Sequence, residues 1–245
     1  MTDGLLLIHA FPLDARMWEP QLGALGDAVP VVAPHLPGFG GTAGAGDVMT
    51  MEAAAERCLG AMTAAGVDRA VVCGLSMGGY VAFELWRRSS ERVAGLVFAN
   101  TRAGADTEEG ANGRRTLAER LLAQGNGFLV DDPPPLVSDG ASDDLRRRVR
   151  EMIASQPAAS IAAASLGMAA RPDSTPDLAS IDVPTLVVTS DGDRLIPAEA
   201  TTPMADQIPA ARLAVIEGAG HLSNLEAAGA FDELLANHLE RCLLG

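Results

Sequence analysis

Short apolar runs alternate with longer segments of helical periodicity along this 245-residue chain, and no other feature of the sequence constrains the fold as strongly. Residues 5–9, 29–33, 70–74, 93–99, 185–189 and 212–216 are each short, apolar and bounded by glycine, proline or polar residues, as strands covered on both faces must be. Between them, residues 50–65 read as a helix that Thr50 caps and Gly66 stops, with Glu52 and Glu56 in its first turns. Residues 76–88 read as a second helix. Residues 226–243 read as a third, because Phe231, Leu234, Leu235, Leu239 and Leu243 fall on one face. Parallel strands need crossover connections, so the pattern predicts an α/β fold: a mostly parallel sheet of about six strands with helices on both faces.

Residues 104–180 break the alternation. Helix-like pieces occur at 117–124, 144–154 and 160–169, without a strand among them. The tract Asp131-Asp132-Pro133-Pro134-Pro135 cannot be helix interior, since proline lacks the amide hydrogen and restricts the residue before it, so it is expected to be a mobile loop. One domain follows, in three parts: a first part of the core at 1–103, a helical lid insertion at 104–180 and a second part of the core at 181–245. The insertion carries Leu117, Leu122, Phe128, Leu129, Ile161 and Met168. Its apolar side chains are expected to line one wall of a pocket, with Phe128 and Met168 as the candidate substrate contacts.

The net charge of −14 opposes binding to phosphate backbones and anionic membrane surfaces. The basic run Arg146-Arg147-Arg148 follows Asp143 and Asp144 in a helix-like segment and reads as a solvated face. Cys58, Cys73 and Cys242 are odd in number and widely spaced, which suggests neither a disulfide framework nor a metal site. The first residues carry no basic leader before an apolar stretch, and no run approaches the length of a membrane span, so a cytoplasmic protein without metal or cofactor is expected.

The chemistry gathers around Gly74-Leu75-Ser76-Met77-Gly78-Gly79, between a predicted strand and a predicted helix. A serine on so sharp a turn is strained and needs small residues two positions to either side, which Gly74 and Gly78 supply. Serine is a weak nucleophile at neutral pH and requires a base. Of His9, His35, His221 and His238, only His221 sits in a glycine-flanked loop after the last predicted strand, where ligand chemistry collects in open α/β sheets. His238 lies in the final helix and is expected at the surface. The acid should follow the preceding strand, where Asp191-Gly192 resembles a turn pair and Asp193 lies beyond it, so Asp193 is favoured over Asp191.

These residues together resemble the α/β-hydrolase superfamily, in the cofactor-free branch that holds 3-oxoadipate enol-lactonases, small esterases and the perhydrolases called haloperoxidases. His9-Ala10-Phe11-Pro12 resembles that family's oxyanion loop, and His35-Leu36-Pro37-Gly38-Phe39-Gly40-Gly41 resembles its D-x-x-G-x-G turn. Gly74 to Gly79 match the nucleophile elbow, Asp193-Arg194-Leu195-Ile196-Pro197 the acid loop, and Gly220-His221-Leu222-Ser223-Asn224-Leu225-Glu226 the histidine loop. The resemblance implies a Ser76–His221–Asp193 triad, an oxyanion hole formed by the backbone N–H groups of Phe11 and Met77, and a loop-anchoring role for His9. Three departures stand out: Ala10 replaces a glycine, His35 replaces an aspartate, and the N-terminal antiparallel hairpin is missing.

Three functional classes fit such a chain. The first is a serine hydrolase that cleaves a small carboxylic ester or lactone through an acyl-enzyme. The second keeps the triad for C–C hydrolysis, perhydrolysis or a biosynthetic cyclisation. The third is a non-catalytic binding protein on the same scaffold, which an intact triad disfavours.

Overall fold

The computed structural model describes residues 2–44, 46–209 and 211–243. Its centre is one six-stranded sheet in the order β2-β1-β3-β4-β5-β6, formed by β1 (Asp3–Ile8), β2 (Val31–Val32), β3 (Arg69–Leu75), β4 (Val93–Ala99), β5 (Thr185–Ser190) and β6 (Ala211–Ile216). Every pairing is parallel. All six expected strands are present. The second is the most shortened, because Pro30 and Pro34 flank it and cannot donate to a ladder. With the edge at β2, no antiparallel hairpin precedes β1 among the described residues.

Helices α1 (Glu19–Leu25), α2 (Met51–Ala64) and α3 (Met77–Ser89) belong to the first half of the chain. Thr50 caps α2 through its hydroxyl, which accepts from Ala53 N at 3.0 Å. Next come α4 (Glu108–Gln124), α5 (Gly127–Asp131), α6 (Asp143–Ala154) and α7 (Ala158–Ala169), and then α8 (Ala198–Thr201), α9 (Pro203–Gln207), α10 (Ser223–Glu226) and α11 (Ala228–Leu243). Helix α3 covers one face of the sheet, where Phe83 stacks on Phe98 of β4 at 4.3 Å between ring centroids. Helix α11 covers the other. A side chain on Gly95, three residues before Phe98 and so on the opposite face, would collide with Cys242 Sγ of α11.

The final helix differs from expectation in two ways. It starts two residues later than expected, at Ala228, with α10 as a separate turn before it. His238 is also not a surface residue: it is only 5% exposed, because the apolar stripe of Phe231, Leu235 and Leu239 is wide enough to carry its neighbour inward. Burial pushes its pKa down to about 4, so it is packed as neutral imidazole.

Segment 104–180 holds α4 to α7 and no strand among the described residues. Helix α4 packs along α7, and the pair is tied to the rest of the protein at several points. On one side Gln156 Nε2 donates to the buried Asp14 at 2.7 Å, Gly40 N donates to Gln156 Oε1 at 3.0 Å, and Met49 N donates to Ala163 O at 3.0 Å. The basic run on α6 is consumed locally, with Arg147 on Asp144, Arg148 on Glu19 and Arg146 on the carbonyls of Ser138, Asp139 and Ala141. No described helix is long and apolar enough to cross a membrane.

Candidate active site

The strand order places β1 beside both β2 and β3, so the chain reverses its direction of travel across the sheet between β1 and β3. Loops leaving the carboxyl ends of two such strands diverge and open a crevice. The 9–12 loop leaves β1 there, and the turn into α3 leaves β3.

Ser76 occupies that turn with φ 56° and ψ −115°, a backbone conformation that costs an ordinary residue about 1–3 kcal/mol. The surroundings enforce it. Ser76 N donates to Ala99 O at 2.9 Å, while Ser76 O accepts from Gly79 N at 2.9 Å and from Thr101 Oγ1 at 2.8 Å. A Cβ on Gly74 would lie 2.2 Å from Gly78 O, and one on Gly78 would lie 2.1 Å from Ile8 O. Neither position tolerates a side chain, so strand, turn and helix close together only with glycine at both. Ser76 is 9% exposed, and its exposed part faces a cavity.

His221 lines the same cavity and is otherwise enclosed. Its Nδ1 lies 2.8 Å from Asp193 Oδ2. Asp193 is fixed from every side: Oδ1 accepts from Leu195 N and Ile196 N, each at 2.9 Å, and Oδ2 also accepts from Asn100 Nδ2 at 3.0 Å. Burial alone would raise the Asp193 carboxyl, but the bond from His221 and the backbone and amide donors outweigh it and hold the group below its usual range. An acceptor-only carboxylate on Nδ1 makes that nitrogen the proton carrier and turns Nε2 into the free lone pair. Among the described residues Ser76 Oγ and His221 Nε2 are not hydrogen-bonded to each other in this resting geometry. Asp191 is elsewhere: it is exposed, and its Oδ1 fastens the neighbouring turn by accepting from Gly218 N at 2.6 Å.

Phe11 lies in the loop after β1, and Met77 is the first residue of α3, directly after Ser76. Neither backbone N–H has an acceptor among the described residues, and Phe11 borders the cavity. His9 Nε2 accepts from Leu36 N at 3.0 Å and Nδ1 lies 3.1 Å from Ala10 O, which makes Nδ1 the donor and ties the 9–12 loop to the 35–41 turn. Burial lowers its pKa to about 4, so it stays neutral. His35 adopts a similar linking position, with Nδ1 accepting from Ala15 N at 3.2 Å.

The cavity encloses about 660 Å³, ample for a small organic molecule. Its floor is Phe11, Ser76, Tyr80 and His221, and Leu195 and Ile196 close one side. The facing wall comes from segment 104–180: Leu117 on α4, Phe128 and Leu129 on α5, Pro134 and Leu136 in the following loop, and Met168 on α7. Phe128 and Met168 are therefore at the cavity. Other apolar residues of the segment are not, for a helix has two faces: Leu122 is 65% exposed, and Ile161 is buried in the core behind the wall. The loop after the proline tract is fastened to the histidine loop. Leu222 N donates to Leu136 O at 2.8 Å, and the Glu226 carboxylate accepts from Gly220 N at 2.9 Å, from Ser138 N and from the Ser138 hydroxyl.

Sequence reasoning missed the residues that hold Asp193 from behind. Asn100 sits at the end of β4 with φ 44°, fully buried; its amide donates to Ser190 Oγ at 2.7 Å as well as to Asp193, and it accepts from Ser223 Oγ at 2.6 Å. A signal was present: an amide directly after seven apolar residues, at a strand's carboxyl end. Arg102 and Arg114, which also line the cavity, were missed as well.

Comparison with known proteins gives a consistent result. Residues 5–234 match the alpha/beta hydrolase family. The chain is 30% identical over 246 residues to 3-oxoadipate enol-lactonase 1 of Acinetobacter baylyi, covering 98% of this chain and 89% of that one. Among solved structures, a thermophilic esterase from Thermogutta terrifontis is 38% identical with a TM-score of 0.94, covering 99% of this chain and 92% of the other. The enol-lactonase from Burkholderia xenovorans is 26% identical with a TM-score of 0.85, covering 98% and 92%.

Proposed function

The chain belongs to the alpha/beta hydrolase family, and on that premise we propose that it is a carboxylic ester hydrolase acting on a small ester or lactone through a Ser76–His221–Asp193 triad. The reading rests above all on Ser76, held at positive φ on the strand-to-helix turn, facing the same cavity as a His221 whose Nδ1 is engaged by the buried Asp193.

In this mechanism His221 Nε2 takes the proton of Ser76 Oγ as the oxygen attacks the substrate carbonyl. A rotation of the serine side chain brings the two into hydrogen-bond range, as often happens only once substrate is bound. Asp193 fixes the tautomer and stabilises the imidazolium. The unpartnered N–H groups of Phe11 and Met77 receive the oxyanion, and such a preorganised donor contributes about 3 kcal/mol to the transition state. His221 then returns the proton to the leaving alkoxide, and water, activated by the same histidine, releases the acid from the acyl-enzyme. Segment 104–180 acts as a lid that bounds the acyl or alcohol pocket, with Phe128 and Met168 among the substrate contacts.

The test uses p-nitrophenyl esters and lactones of graded size together with a fluorophosphonate probe. Wild type should turn over part of the panel and be labelled. Ser76→Ala should lose labelling and turnover, by about a million-fold in kcat where the triad acts as a unit, with an unchanged melting temperature. Retained activity in a folded Ser76→Ala protein overturns the assignment.

A further inference from the structure

The two edges of the sheet are finished differently. At one end β2 is two residues long and bounded by Pro30 and Pro34, so it offers a neighbouring strand almost no ladder. At the other end β6 runs for six residues in unbroken parallel register with β5, from Ala211 opposite Thr185 to Ile216 opposite Ser190. It contains no proline and no bulge, and among the described residues no strand pairs with its outer side. Such an edge presents a row of backbone N–H and C=O groups to any further strand, and folded proteins ordinarily blunt it.

The side chains of β6 are those of a strand that expects a neighbour. Leu213 and Val215 are 41% and 50% exposed, and among the described residues they are the only large apolar side chains so exposed on a strand. Two residues apart, they share one face of the sheet. In a chain of net charge −14, β6 carries no acidic residue; Arg212 stands near its start and Glu217 directly follows its end, both exposed.

Opposite charges at the two ends of an apolar strand decide how a second copy of it would pair. A parallel copy would set arginine beside arginine and glutamate beside glutamate, whereas an antiparallel copy brings each arginine to the end that carries the glutamate. Opposed residues of an antiparallel pair share a face, so a two-fold axis between identical strands passes through one residue and its own counterpart. With that axis at Ala214, Leu213 of each copy lies opposite Val215 of the other, and all four exposed apolar side chains form one cluster. Arg212 then lies opposite Ile216 and within side-chain reach of Glu217 of the second copy. Moving the axis to Leu213 or to Val215 would set Val215 opposite Ala211 or Leu213 opposite Glu217, so only the first register covers both apolar side chains. We propose that β6 is a homodimer interface, at which two copies of this chain join edge to edge in antiparallel pairing about Ala214 and continue one sheet through both. No residue of β6 lines the active-site cavity, and the interface stands independently of the hydrolase reading.

Sedimentation velocity of the purified chain over about a hundredfold range of concentration tests it. Wild type should shift toward a species of twice the chain mass as concentration rises. Val215→Lys sets a charge in the apolar cluster and should raise the dimer dissociation constant by about tenfold or more. Arg212→Glu and Glu217→Arg each bring like charges together at both ends of the pair and should weaken association about tenfold. Combining the two exchanges the ends and should restore association to within about threefold of wild type, because opposite charges meet again. Melting curves establish that each variant is folded; if Val215→Lys is not, the charge exchange at the two exposed positions decides. A wild type that remains monomeric over the whole range overturns the proposal, and so does a dimer that folded Val215→Lys leaves intact. A double variant that associates no better than the single ones overturns it as well, since the partner is then something other than an antiparallel copy of β6.

Discussion

Two regions meet at the cavity and are built on opposite terms. The corner at the carboxyl ends of β4, β5 and β6 holds Asn100, Ser190, Asp193, His221 and Ser223, all buried, each side chain hydrogen-bonded to another part of the corner and each anchored to a strand end or a tight turn. The wall contributed by α4, α5 and α7 mixes cations with apolar side chains, several of them only partly buried. In the corner, removing one group strands another in a low-dielectric interior, so losses are large and uniform across substrates. In the wall, side chains have water or room to adjust, so changes should be small and depend on the substrate. On the proposed function, the chemistry belongs to the region where the fold permits little variation, and selectivity to the region where it permits much.

The sharpest way to break this contrast is at the acid loop, where two aspartates lie two residues apart. Asp193→Asn preserves shape but presents an amide to His221 Nδ1, and an equivalent change in a serine protease costs about ten-thousand-fold in kcat through the wrong tautomer. A loss of that order is expected here on every ester of the panel. Asp191→Asn should leave turnover within about threefold, because its contact with Gly218 N lies on an exposed turn where a lost hydrogen bond is replaced by water. Steady-state kinetics of the two variants decides it, and the reverse ranking would mean that the corner is organised around the other carboxylate.

A second, smaller effect concerns Asn100. Its amide links Ser190, Asp193 and Ser223, so Asn100→Ala should lower kcat by about 10- to 100-fold with little change in KM, the range expected when charge-assisted and buried hydrogen bonds are lost. The positive φ of Asn100 adds an alternative explanation, since alanine is strained there. Asn100→Gly separates the two. Glycine accepts φ 44° but removes the same amide, so it should recover thermal stability without recovering kcat. If glycine restores turnover, the backbone and not the amide positions Asp193.

How much of this was legible in the sequence follows from the range over which each feature is encoded. The strands and the helices at 51–64 and 77–89 are written in local periodicity and caps, and the elbow, acid and histidine loops are contiguous segments at strand ends. Helix α1 was not visible because it is only seven residues long and carries Pro20 and Gly23, both poor helix formers, and α8 and α9 are single turns separated at Thr202. Asn100 lies 90 or more residues from each of its side-chain partners, so nothing in its neighbourhood announces them. Arg102, Arg114 and Arg171 gather on Asp106 only once α4 and α7 pack together. His238 was misplaced for a related reason: a polar residue in an amphipathic helix is exposed by default, and only the docked sheet shows how wide the buried stripe is.

The smallest expected effect lies in the wall, and there the choice of substitution decides whether the result can be read. Phe128 is only partly buried, on the short α5, so Phe128→Ala removes cavity-facing surface without excavating the core. Met168 is 2% exposed and packed into the core on α7, where truncation to alanine would cost about 2–5 kcal/mol and confuse selectivity with stability. Met168→Leu keeps the volume and usually costs less than about 1.5 kcal/mol while removing the flexible thioether from the cavity. For both Phe128→Ala and Met168→Leu, relative kcat/KM across the graded esters should shift by about three- to tenfold, in keeping with the few methylenes of contact at stake, with the largest change on the longest chains. The fluorophosphonate labelling rate should hardly move, because a small probe reports on Ser76, His221 and the oxyanion donors and does not reach the wall. Were both variants to slow every ester and the probe by one common factor, the wall would be acting through the corner, by way of the Leu136 and Glu226 contacts to the histidine loop, and the division of labour between the two regions would fail.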